Sequence, residues 1–259
     1  MLNIYIITCP GLLRERLTKQ INSFLHNELA SITNHVHIDF EEMGADSICS
    51  MPVYDPSAWN RDISEGWPFF HSNLLRSRRT YSALTAIVDT SIHSLKTIFP
   101  PRELSRIEQE IMSRHLKAWL YASESASPTL ILEDDIVIEK ELSASDLDDV
   151  INIGIAENRF VDLCDSYIPL LFPDQIHRLS RCGAISYLKL ERAITRTLSA
   201  YVLTSALAQE LVRNFSAYAL PADMHLQIML KRLGAKGISI FSDTFNHGSK
   251  TGNFGSSTL

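Results

Sequence analysis

Three consecutive carboxylates, Glu133, Asp134 and Asp135, stand directly after the apolar run Thr129-Leu130-Ile131-Leu132 and directly before Ile136-Val137-Ile138. Charge within a buried strand is costly unless a partner compensates it. Either the strand ends there at a surface, or the acids have a cation to hold. In open α/β sheets, ligands bind outside the carboxyl ends of the strands. Glu133 and Asp135 are two residues apart, so extended backbone presents them on one side and Asp134 on the other. Oxygen-only ligands suit Mg2+ or Mn2+ rather than zinc, and such ions complete their shells with substrate phosphates. The expected ligand is a nucleoside diphosphate. The competing reading is that the acids cap a helix or pair with arginine.

Other residues of chemical interest lie upstream and downstream. His115 and Trp119 are four apart on the stripe Leu104, Ile107, Ile111, His115, Trp119, Ala122, which shares one helical face. A histidine there is either a satisfied core residue or part of the same site as the acids. His247 sits in a polar, glycine-rich tail, Asp243 to Leu259, whose flexibility permits a loop folding over a ligand. It either completes a metal shell or is simply solvated. Lys250 and Arg232 are candidates to neutralise phosphate.

These residues need elements to place them. Asn3-Ile-Tyr-Ile-Ile-Thr8 reads as a buried strand ended by Cys9-Pro10-Gly11. A helical pattern follows through Leu17, Ile21, Phe24 and Leu25, then a second strand over residues 35–40. Strand, helix, strand predicts a parallel sheet. Residues 46–79 lose the periodicity and carry Pro, Gly, Trp, Phe and basic residues. They are either a lid or acceptor-facing insertion, or a surface loop anchored by its aromatics. Helices are expected over about 82–98 and after Phe99-Pro100-Pro101, where Pro101 suits a first turn. Ser145 is the expected cap of a helix that includes Asp148. Further strands are expected at 160–167, 184–190, 199–204 and 238–242. Helices are expected at 205–215 and from Pro221 to Gly234. The whole reads as one domain with an irregular insertion at about 46–100.

Composition narrows the function. The chain has 259 residues, 45% hydrophobic and 21% charged, with a net charge of −6. An acidic chain lacks the basic footprint of a nucleic-acid binder. Its four cysteines, Cys9, Cys49, Cys164 and Cys182, form no C-x-x-C pair, which fits free thiols in a reducing compartment. The amino-terminal run has no basic region before it and reads as a strand rather than a leader peptide. No run reaches the ~20 apolar residues of a membrane span. A cytoplasmic protein is expected, with possible peripheral contact at the inner membrane surface.

The segment Ser113-Arg-His115-Leu-Lys-Ala-Trp119, followed by the strand ending Leu132-Glu133-Asp134-Asp135, resembles glycosyltransferase family 25, the lipopolysaccharide and lipooligosaccharide glycosyltransferases. Arg114 is inserted between the family's Ser and His. Glu108 stands where the family has a glutamate between glycines, here replaced by Ile107, Glu110 and Ile111. Downstream, Ala200, Tyr201, Thr204, Ala208, Pro221 and Asp223 match its small-residue-Tyr, Ser/Thr, helix and Pro-x-Asp pattern. At the amino terminus Thr8 replaces an Asn, with Arg14 and Arg16 as the candidate arginines.

The resemblance implies a GT-A-like α/β fold with a mostly parallel central sheet, and transfer of galactose or glucose from a UDP-sugar to a glycan or lipid-linked saccharide, with inversion. It implies Mn2+ or Mg2+ on Asp135, with Glu133 and His247 as further ligands, and donor contacts from Thr8, Arg14, Arg16, His115, Asp134 and Tyr201. Glu133 reaches the metal through water or touches the ribose in this reading, and Asp134 organises the loop. Asp223 is the candidate base that an inverting transfer requires. It could equally be a first-turn charge favoured by the helix dipole. A metal-dependent phosphohydrolase or nucleotidyltransferase, and a degenerate non-catalytic nucleotide binder, are the alternatives.

Overall fold

The first strand, β1 (Leu2–Ile7), is buried along its whole length and anchors the sheet. This is a computed structural model, and it describes residues 1–8, 29, 31–39, 54–58, 103–134, 136–138, 143–164, 179–195, 198–241 and 245–247. The expected helices over 14–29 and 82–98, and nearly all of the 46–100 insertion, lie outside the described residues.

The remaining strands are β2 (Thr33–Asp39), β3 (Thr129–Glu133), β4 (Ile136–Ile138), β5 (Phe160–Asp162), β6 (Ser180–Cys182), β7 (Ile185–Leu190), β8 (Ala200–Leu203), β9 (Gly237–Phe241) and β10 (Phe245–His247). Eight of them form one open sheet in the order β2-β1-β3-β8-β5-β9-β7-β6. β4 and β10 make a separate two-stranded ribbon.

The sheet is mixed rather than mostly parallel. β1 pairs in parallel with β2 and β3, and β5 with β9, while β3–β8, β5–β8, β7–β9 and β6–β7 are antiparallel. β7 and β8 thus oppose the other six strands. The cause of the first reversal is local. β6 and β7 are joined by Gly183 and Ala184 alone, and a two-residue connection joins only antiparallel strands. Gly183 has φ +54, and a Cβ there would meet the Asp146 carboxylate, which accepts the Ala184 N–H at 2.9 Å. The segment from β7 back to β8 crosses the start of β9. Ala193 donates to the Ala235 carbonyl at 2.7 Å, and a Cβ on Gly237 would lie 2.8 Å from the Ala193 Cα, so only glycine admits this path.

The helices are α1 (Arg106–Glu124), α2 (Ala144–Ala156), α3 (Ser205–Arg213) and α4 (Ala222–Arg232). α1 is opened by a capping box: Ser105 accepts from the Glu108 N–H, and the Glu108 carboxylate accepts from the Ser105 N–H at 2.9 Å. Glu108 is therefore a cap, and Ile107, expected on the buried stripe, is 44% exposed. The cap of α2 is Ser143, two residues before the expected Ser145. Pro221 and Gly234 bracket α4 as expected, Gly234 with φ +62.

Strand alternation divides the core. One face of the sheet, carrying Ile4, Ile6, Leu130, Leu132, Val161, Val202 and Ile238, packs under α2 residues Leu147, Val150 and Ile151. The other, carrying Tyr5, Ile7, Ile131, Phe160, Tyr201 and Leu203, packs under α1, α3 and α4 with Trp119, Leu211 and Leu226. Among the described residues no helix is long and apolar enough to cross a membrane.

Candidate functional site

Register brings the ends of three parallel strands together. Ile7 at the end of β1 is opposite Asp39 of β2 on one side and Glu133 of β3 on the other. Consecutive residues of α1 reach these two carboxylates. Arg114 lies 3.8 Å from Asp39, both nearly excluded from solvent, and also bonds Glu110 at 2.7 Å. His115 Nε2 lies 3.0 Å from Glu133 Oε1. Residues adjacent on a helix point about 100° apart, which is how one turn of α1 serves two strands.

Glu133 is held on both oxygens. Besides His115 on Oε1, the Ser199 hydroxyl donates to Oε2 at 3.0 Å. Ser199 is placed by the sheet itself, because its carbonyl accepts the Glu133 N–H at 2.9 Å. The Glu133 side chain is 18% exposed, so a face of it reaches the surface. Asp134 occupies the following turn and is half-buried. Asp135 lies outside the described residues, as do Arg14 and Arg16.

His115 and Tyr201 are fully buried behind Glu133. The Tyr201 hydroxyl lies 3.0 Å from His115 Nδ1 and accepts the Trp119 indole N–H at 2.9 Å. Tyr201 sits across from Ile131 on β3 and Asp162 on β5, in the middle of the sheet. Burial, reinforced by the nearby Glu133 charge and opposed by the Trp119 bond, pushes its phenol well above the ordinary range. The polar atoms of His115 and Tyr201, both expected to touch a donor, bond one another, Glu133 and Trp119. Thr8, also expected at the donor, is buried with its hydroxyl donating to the Asp39 carbonyl, tying the ends of β1 and β2.

Asp223, in the first turn of α4, faces the same place. Its side chain keeps a strip of solvent contact within a recess of protein atoms. Burial raises its pKa, and the Glu133 charge adds to that. The Met224 N–H at 2.8 Å acts in the opposite direction. A carboxyl raised in this way is a better proton acceptor than a free aspartate. β10 runs antiparallel to β4, with His247 opposite Ile136, so the tail returns to the residue that follows the acids.

The structure thus gathers Glu133, Asp134, His115, Tyr201, Asp223 and the backbone at His247 around the end of β3. Thr8 lies on the far side of β1's end, beside Asp39. Sequence reasoning missed Ser199, Asp39 and Arg114. The signal for Ser199 was its position just before the strand Ala200–Leu203, legible only once that strand is known to run against β3. Among the described residues, no group of three or more His, Cys, Asp or Glu side chains is placed to hold a metal ion. Of the acids that close β3, Glu133 and Asp134 are described, and carboxylate oxygens such as theirs are the donor type that suits a hard cation.

Neither a protein-family profile nor a curated protein matches the chain. Among solved structures, UDP-glucose pyrophosphorylase from Acinetobacter baumanii aligns with 92% of this chain and 85% of its own at 11% identity, with a TM-score of 0.43. A likeness of that degree fixes neither the topology nor the chemistry of this chain.

Proposed function

We propose that the protein is a glycosyltransferase that moves galactose or glucose from a UDP-sugar to a hydroxyl of a glycan or lipid-linked saccharide, with inversion, in the synthesis of a surface polysaccharide. The observation that carries this reading is Glu133. It is a carboxylate at the carboxyl end of a central strand, gripped on both oxygens and open to solvent on one face, with Asp223 nearby. That arrangement suits a fixed acceptor for ligand hydroxyls or a hard cation, with a separate base alongside. The family resemblance of the His115, Glu133 and Asp223 segments supplies the substrate class.

Asp223 is assigned as the base. Its raised affinity for protons lets it take the proton of the acceptor hydroxyl as that oxygen attacks the anomeric carbon and the carbon–oxygen bond to the diphosphate breaks. Glu133 orients the donor through its exposed face. Mn2+ or Mg2+ belongs to the proposal through Asp135, with Glu133 and His247 as the other assigned ligands. When bound, such an ion would offset the charge of the departing diphosphate. Arg14, Arg16 and Asp134 are assigned to the donor. The protein would work in the cytoplasm, against the inner membrane surface.

Calorimetric titration of the full chain with UDP, with and without Mn2+, tests this directly. UDP should bind in the presence of the ion, and binding should fall at least about 10-fold in Glu133→Gln and Asp135→Asn. Equal binding without metal, undiminished in both variants, would remove the site assignment. A hydrolysis screen over UDP-sugars then separates a transferase from a binding protein.

A further inference from the structure

The five side chains Trp119, Tyr201, His115, Glu133 and Ser199 form one connected chain whose proton directions are determined by what each can donate. Indole N–H is a donor only, so at 2.9 Å the Tyr201 oxygen must accept from Trp119. Tyr201 is completely buried, and among the described residues the other hydrogen-bond partner of its hydroxyl is His115 Nδ1 at 3.0 Å. Its own proton therefore goes to that nitrogen. With Nδ1 accepting, the ring proton sits on Nε2, 3.0 Å from Glu133 Oε1. Ser199 donates to the other oxygen. Every link is satisfied in this direction, whereas a ring proton on Nδ1 would take from the tyrosine proton the acceptor it has among the described residues. The phenol stays protonated, because burial raises it well above the ordinary range.

We infer that Tyr201, backed by Trp119, is a positioning residue that occupies His115 Nδ1 and, together with Glu133, holds the ring with its Nε2 proton aimed at that carboxylate. The relay begins in the middle of the sheet and ends at its ligand edge. It therefore transmits the rigidity of the core, not a charge, to the Glu133 carboxylate. The consequence concerns the substrate: a Glu133 carboxylate receives hydrogen bonds and gives none, which suits a donor group such as a sugar or ribose hydroxyl, or a cation, and not a second carboxylate or a bare phosphate oxygen. The role of the relay in turnover rests on the glycosyltransferase reading; its geometry does not.

Two measurements test it. In the full chain with ¹⁵N-labelled histidine, long-range proton–nitrogen correlation should show one ring with Nδ1 bare and Nε2 protonated, identified as His115 by its loss in His115→Gln. Tyr201→Phe, which keeps the ring and removes the hydroxyl, should strip Nδ1 of its donor and shift that nitrogen's resonance, while the Nε2 proton stays directed at Glu133. In donor turnover, Tyr201→Phe should lower kcat about 10- to 100-fold with KM for the UDP-sugar little changed. His115→Gln, which retains an N–H for Glu133, should exceed the equally space-filling His115→Leu by about 10-fold. A packing role alone would make these two alike. A wild-type His115 protonated on Nδ1 overturns the inference. So does a Tyr201→Phe protein with unaltered spectrum and rate, or equal His115→Gln and His115→Leu activities. A wild-type chain that neither binds UDP with Mn2+ nor cleaves a UDP-sugar sinks the transferase reading, and the relay is then decided by the tautomer and the response of Nδ1 to Tyr201→Phe.

Discussion

The two faces of the central sheet are built from the same strands yet do different work. Under α2 the contacts are aliphatic: Leu147, Val150 and Ile151 meet Ile4, Leu132, Val161 and Ile238. Under α1, α3 and α4 the same strands turn Tyr5, Phe160 and Tyr201 toward Trp119, and the buried polar residues Ser113, Arg114, His115, His225 and Gln227 lie on these helices. An aliphatic layer gains stability without regard to orientation, because burial of apolar area is non-directional. A layer of aromatic and polar groups must satisfy each donor and acceptor, so it specifies geometry as well as stability. The site is at the edge of the second layer, and its carboxylate is aimed by that layer's hydrogen bonds.

That contrast can be broken experimentally. Trp119→Ala removes a fully buried indole and strips Tyr201 of its donor; it should cost about 3–5 kcal/mol in urea unfolding and weaken UDP binding as well. On the opposite face, Gly154 of α2 packs tightly on the sheet, and a Cβ there would lie 2.3 Å from the Val161 Cγ2. Gly154→Ala should therefore cost about 1–3 kcal/mol by overpacking, with UDP affinity of the folded protein unchanged. Parallel losses of stability and binding in both variants would show that the faces are not separable.

The smallest effect should come from Asp223→Asn, and it has the opposite sign. The native state holds Asp223 with a raised pKa, so wild-type stability declines as pH rises and the group ionises in the fold. Asparagine avoids that loss. Thermal midpoints of the two proteins should coincide below about pH 3, under the ordinary aspartate range, with the variant more stable at neutral pH though less active. A variant less stable than wild type at neutral pH would mean that the favourable interaction of the charge with the α4 amino terminus dominates.

Much of the local structure was legible from residue patterns, because it depends on neighbours in sequence. β1, β3, β8 and β9 show as apolar β-branched runs, and α4 is bracketed by Pro221 and Gly234. The acids at the end of β3 stood out for the same reason. What was not legible depends on partners far along the chain. Tyr201 and His115 are 86 residues apart, and Ser199 and Glu133 are 66 apart, so their pairing follows from β8 entering the sheet beside β3. The reversal at β7 follows likewise from a two-residue turn whose importance appears only when β6 is recognised as a strand. Glu108 illustrates a different loss: Ser105-x-x-Glu108 carries a capping signature, but the glutamate was read against a family motif instead of its own helix.

The pairing of His247 with Ile136 has a consequence for biosynthesis. The chain emerges amino terminus first, and the acidic turn leaves the ribosome more than a hundred residues before its β10 partner does. Until residue 247 is released, the short strand beyond Asp135 has no neighbour in its ribbon. The acidic edge is thus among the last parts of the described fold to be finished, and a nascent chain arrested before β10 would carry the sheet without a completed rim.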